Sequence, residues 1–78
     1  MISASIDGAP AIPCDFEVSA DSWVVTVNIA SLDPQRVYAV EVTLVGVRFA
    51  GAAVASSAAL VAGGYRVTLR GLGDLMAV

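Results

Sequence analysis

The sequence predicts an all-β fold, a small β-sandwich or partly open barrel of six to seven short antiparallel strands, in a single domain over residues 1–78. Three observations predict it. Apolar and polar side chains alternate with a period of two along most of the chain, as in strands with one buried face. Helical periodicity is nearly absent. Turn-forming residues, Gly, Pro, Asp and Ser, recur about every ten residues, the spacing of sandwiches and barrels.

The first segment, residues 2–6, ends at Asp7-Gly8, where Gly accepts the positive φ that tight hairpin turns require. Pro10 and Pro13 cannot donate to a ladder, so residues 9–13 form a loop or an edge. Cys14, Phe16 and Val18 then alternate with Asp15, Glu17 and Ser19, which predicts three apolar side chains inward and two carboxylates outward. Residues 20–22 turn the chain into residues 23–30, where Trp23, Val25, Val27 and Ile29 share one face.

Residues 31–36, centred on Asp33-Pro34, are the longest polar break and predict a crossing loop. Tyr38, Val40, Val42 and Leu44 line the next face. Beyond Leu44 the parity changes, with Val45, Val47 and Phe49 as the apolar set. A β-bulge or sharp bend at Val45-Gly46 would restore inward facing; the alternative is a strand that leaves one sheet for another. Residues 50–62 pull two ways. Their Ala content and Gly63 suit a short helix, whereas their length and alternating neighbours favour one bent strand or two short ones. Gly63-Gly64 supplies a turn. Tyr65, Val67 and Leu69 then alternate with Arg66, Thr68 and Arg70, and Leu72, Leu75, Met76 and Val78 give a greasy end after Gly71 and Gly73.

Composition narrows the function. Of 78 residues, 58% are hydrophobic and 14% charged, and the mean hydropathy is +0.82. A domain of this size buries only about 60 to 65% of the surface of its unfolded chain, so one core cannot hide all the apolar side chains. Fourteen of them are Ala, which tolerates water, but thirteen Val, six Leu and four Ile remain. Protein partners are expected. The net charge of −3 argues against nucleic acid, whose binders cluster Lys and Arg. Residues 1–35 hold Asp7, Asp15, Glu17, Asp21 and Asp33 with no base, while all four Arg follow from residue 36. Neighbouring strands with complementary outer faces would account for this split; head-to-tail contact between copies is the alternative.

The chemistry of known sites is scarce. With no His, Ser-His-Asp and Cys-His catalysis are excluded, and one Cys without His cannot hold structural zinc. Asp15 and Glu17 stand about 6.6 Å apart on one strand face, close to a catalytic carboxylate spacing, but exposed acids that keep a strand soluble explain them better. A calcium site from Asp15, Glu17 and Asp21 lacks the dense loop such sites prefer. The Gly pairs lack the residues that follow in a phosphate loop. Cys14 cannot form an internal disulfide and reads as a small buried hydrophobe. No enzymatic activity and no cofactor or metal is expected. Residues 1–7 lack the features of a signal peptide, and the uncharged residues 49–65 are too short and too diluted for a membrane span.

The expected working surface is an interface. Its candidates are Ile2 and Ile6 in the first strand, residues 52–61, the terminal Leu72, Leu75, Met76 and Val78, Trp23 if exposed rather than a core anchor, and Arg66 and Arg70 as inter-subunit ion-pair partners if not merely solvated. A free-standing recognition module, gripping a ligand with loops 9–13 and 31–36, is the alternative.

The run Ala62-Gly63-Gly64-Tyr65-Arg66-Val67-Thr68-Leu69 is similar in texture to the last strands of immunoglobulin-like domains. In size, strand content and composition the chain resembles the accessory proteins of tailed-phage virions: capsid decoration or cement proteins, and small head or tail components. That resemblance implies a non-enzymatic structural protein, present in many copies in a virion assembled in the host cytoplasm. It would bind itself and a repeating capsid or tail protein surface.

Overall fold

In a computed structural model that describes residues 2–19 and 21–78, the chain is all-β and without helix. Eight strands join one antiparallel sheet: β1 (Ser3–Ile6), β2 (Ile12–Pro13), β3 (Asp15–Val18), β4 (Trp23–Ile29), β5 (Val37–Leu44), β6 (Val47–Val61), β7 (Gly64–Gly71) and β8 (Met76–Ala77). Seven follow the order β2-β1-β5-β6-β7-β4-β3, and β8 pairs with β6 off this path. The outermost strands, β2 and β3, are separated in the chain by Cys14 alone, so the sheet curls until its two ends meet at one corner. The partly open barrel is therefore the form observed, not an immunoglobulin-like pair of sheets.

The predicted faces hold along most of the chain. Val25 and Val27 of β4, Val40 and Val42 of β5, and Val67 and Leu69 of β7 are all buried in one interior, joined by Ala4, Ile6, Tyr38 and Ala53. Val18 departs from its predicted inward position: at the end of β3 it is exposed, because the barrel wall stops there. The turn expected around residues 20–22 includes Ala20, which lies outside the described residues; Ser19 N–H donates to Ser22 O across it at 2.8 Å.

Two stretches for which the sequence left alternatives take a definite form, each for a physical reason. At Val45-Gly46 the chain neither bulges nor changes sheet; the sharp bend expected there is a full reversal. It reverses in a two-residue turn with φ of 49° and 79°, and Leu44 pairs with Val47. The parity change is thus the reversal itself, and Val45, a β-branched residue in the left-handed region, hid the turn. Residues 50–62 are not helical: β6 runs unbroken from Val47 to Val61 despite its Ala. Its small residues serve the core instead. A Cβ at Gly51 would stand 2.8 Å from Trp23 Cζ2, and Gly71 on β7 leaves still less room under the same indole. The β5 ladder up to Val54, the β7 ladder along residues 53–61 and this floor for Trp23 override helix propensity. A bulge does occur in β6, between Ala55 and Ser57, and Ser56 Oγ donates to Thr68 O at 3.1 Å there.

The indole is anchored as well as packed. Trp23 Nε1 donates to Gly73 O at 2.7 Å, and Leu75 closes in beside Gly51. The segment after β7 is therefore a lid on the Trp23 end of the barrel.

Candidate functional site

The strand lengths leave one edge open. β5 pairs with β6 only from Leu44↔Val47 to Val37↔Val54, whereas β7 accompanies β6 as far as Val61↔Gly64. Among the described residues, no strand pairs with residues 55–61 on the β5 side. The segment, Ala-Ser-Ser-Ala-Ala-Leu-Val, carries no charge, and Leu60 is 80% exposed. Val61 and Gly64 flank a two-residue turn and so form a hydrogen-bonded pair; alternation then turns the N–H and C=O of Leu60 and Ala58 away from β7. Natural edges are shielded by charges, Pro or bulges. Here only the bulge at Ser56 intervenes, and residues 57–61 beyond it stay regular.

A second surface gathers at β8. Met76–Ala77 lie along Phe49 and Ala50, and Val78 N–H donates to Arg48 O at 3.0 Å. Met76, Val78, Leu72, Val45 and Val47 are exposed.

A third feature joins the two loops singled out in the sequence. Residues 9–12 and 28–36 border a cleft of about 570 Å³ with Ile12, Ile29 and Leu32 in its apolar lining. Its polar wall is cross-linked. Asp7 accepts from Ala39 N–H at 2.9 Å and pairs with Arg36 at 2.9 Å, and the Arg36 guanidinium stands 5.4 Å from the centre of the Tyr38 ring. Tyr38 Oη accepts from Asp33 N–H at 2.8 Å and donates to Asp33 O at 3.1 Å, which fixes loop 31–36.

The predicted interface residues separate into three groups. Ile6 and Trp23 belong to the core, and Ile2 and Leu75 pack against it, so none of these four offers a free apolar surface of any size. Leu72, Met76 and Val78 are exposed, as are residues 56–60. Arg66 pairs with Asp15 at 3.2 Å, while Arg70 has no ion-pair partner among the described residues. The pairs Arg36–Asp7 and Arg66–Asp15 each join the acidic part of the chain to the basic part within one molecule, which accounts for the charge split.

Asp15 and Glu17 line one shallow depression, where the Arg66 guanidinium pairs with Asp15 at 3.2 Å, and among the described residues no three Cys, Asp or Glu side chains are grouped to hold a metal ion. Cys14 is half-buried, and burial followed by the neighbouring Asp15 carboxylate raises its thiol above its ordinary value. Among the described residues no helix is long and apolar enough to cross a membrane. Sequence reasoning placed residues 52–61 among the apolar and edge groups of the working surface; the register narrows the open edge to residues 55–61, because Ala52, Ala53 and Val54 pair with β5. Comparison with protein-family models, curated proteins and solved structures finds no match.

Proposed function

We propose that this chain is a non-enzymatic assembly protein that binds other protein through the open edge of β6, with the apolar groups around β8 as a second contact. The observation that carries the reading is that β6 outruns β5 by residues 55–61, an uncharged strand whose outward amides and carbonyls have no protein partner among the described residues. Strand addition supplies such groups with main-chain hydrogen bonds, and the small side chains place no steric bar against it. Size, strand content and composition extend the proposal to a multi-copy component on a repeating protein surface, as in capsid decoration proteins or small head and tail components of tailed-phage virions.

Light scattering during size exclusion tests the reading. Self-associated species that grow with concentration are expected, and Met76→Ser with Val78→Ser should weaken them without unfolding the chain. A strict monomer at millimolar concentration would count against it. Deleting residues 72–78 is a poor substitute, because it removes the acceptor of the Trp23 indole.

The cleft between loops 9–12 and 28–36 favours a second reading, a recognition module that takes an apolar side chain of a partner. Leu32→Lys would abolish binding on that reading and leave it intact on the first.

A further inference from the structure

We infer that the occupant of the open edge is a second copy of the same edge, paired antiparallel about a two-fold axis at Ala59; this rests on the reading above and names its partner. Register is fixed by three independent constraints. Outward hydrogen-bonding groups must meet outward groups, which matches Ala58 and Leu60 of one chain to Ala58 or Leu60 of the other. The bulge at Ser56 and the turn at residues 62–63 limit the regular edge to residues 57–61. Only centring on Ala59 keeps every pair inside that span: Ser57 opposite Val61, Ala58 opposite Leu60, Ala59 opposite its own copy.

The side chains suit that register. The largest, Leu60, faces the small Ala58, so bulk meets space on both sides of the axis. Ala58 and Leu60 pair across the hairpin with Val67 and Tyr65, so all four point to the barrel's concave side, and the apolar face continues across the junction. No charged residue lies between Arg48 and Arg66. The two Arg66 side chains, each paired in register with its own Ala59, would stand about 15 Å apart, beyond a Debye length. The gap also has the right length. The partner's turn would end beside Val54 and Val37, and Val37, the first residue of β5, is 54% exposed. Four main-chain hydrogen bonds form, two for each Ala58 and Leu60 pair, on an interface small enough to give a weak, concentration-dependent dimer.

The axis makes the test specific. Ala59 and its copy form a non-hydrogen-bonded pair with Cα atoms about 4.5 Å apart, within disulfide reach. In a Cys14→Ala background, Ala59→Cys should oxidise to a covalent dimer at least about tenfold faster than Ala52→Cys, which is exposed on the same strand but already opposite Ala39. Ala59→Lys, which sets two ammonium groups face to face, should weaken self-association at least about tenfold while circular dichroism stays unchanged. Equal oxidation rates for the two cysteine variants, or undiminished association of Ala59→Lys, would overturn the pairing. Association that persists in Ala59→Lys but falls in Met76→Ser with Val78→Ser would overturn the pairing alone and leave the broader reading standing. A chain that stays monomeric at millimolar concentration would overturn both.

Discussion

Replacing Gly71 by Ala probes how tightly the Trp23 end of the barrel is built. Gly71 has no positive φ, so the substitution leaves the backbone unstrained and acts through space alone. The added Cβ would lie 2.2 Å from Trp23 Cε2 and 2.3 Å from its Nε1, where ordinary contact begins at 3.4 Å. The indole must therefore retreat by more than about 1 Å. It has nowhere to go cheaply: its Nε1 is held by Gly73 O at 2.7 Å, and its Cζ2 lies over Gly51. Overpacking of this kind costs about 1 to 3 kcal/mol, and the strained indole hydrogen bond puts Gly71→Ala at about 3. For a domain of this length that lowers Tm by about 12 to 24 °C. Gly73→Ala, with no atom within 4 Å of its Cβ, should change stability by less than about 0.5 kcal/mol. Trp23→Phe removes Nε1 and its bond to Gly73 O, which leaves a smaller ring free to shift, so a double-mutant cycle should show about 1 to 2 kcal/mol of compensating coupling. Thermal melts of the four proteins decide it. A Gly71→Ala variant that melts within 2 °C (an arbitrary bound of about 0.5 kcal/mol) of the parent, or a cycle without coupling, would refute the packing argument.

Three further outcomes follow from single residues. Val45→Asn should stabilise by about 1 kcal/mol and raise Tm by about 4 to 8 °C, since Asn tolerates the φ of 49° that a β-branched residue resists; an unchanged melt would contradict the turn assignment. Asp7→Ala should cost about 2 kcal/mol in chemical denaturation, because it removes the acceptor of Ala39 N–H and the Arg36 partner and places Ala at a φ of 53°, whereas Asp7→Asn should cost less than half as much. The Cys14 thiol, raised by burial and by Asp15, should react slowly with maleimide at neutral pH and faster in Asp15→Asn. Its folded value lies above its unfolded one, so the stability it contributes is complete below pH 9.0 and is lost as pH rises through the folded value. Stability that rose across that alkaline range would contradict the direction of the shift.

What the sequence disclosed depended on where one rule acted alone. β4, β5 and β7 alternate Val, Ile, Leu and aromatic residues with Thr, Glu, Asn and Arg, and their faces followed directly from the period. β6 was read as strand against the pull of its Ala toward helix, and the ambiguity arose because Gly51 answers to Trp23: it makes room for an indole 28 positions away in the chain, and no local pattern records that. Val45 masked a turn because its side chain opposes the conformation it adopts. The open edge was named within residues 52–61, but its extent was not legible. It arises from a mismatch between the lengths of β5 and β6, which only the register reveals. The cleft was half legible: loops 9–13 and 31–36 were named from Pro, Asp and Ser, but their meeting depends on Asp7, Arg36 and Tyr38.

The central claim is that the free side of residues 57–61 is covered by protein when the molecule works, and amide hydrogen exchange at Ala58 and Leu60 measures it most directly. The account predicts fast exchange at both positions in dilute solution and protection that grows with protein concentration, while the neighbouring Ala59 amide, bonded to β7, stays protected throughout. Exchange at Ala58 and Leu60 that is slow in dilute monomer, or equally fast at every concentration, would contradict it.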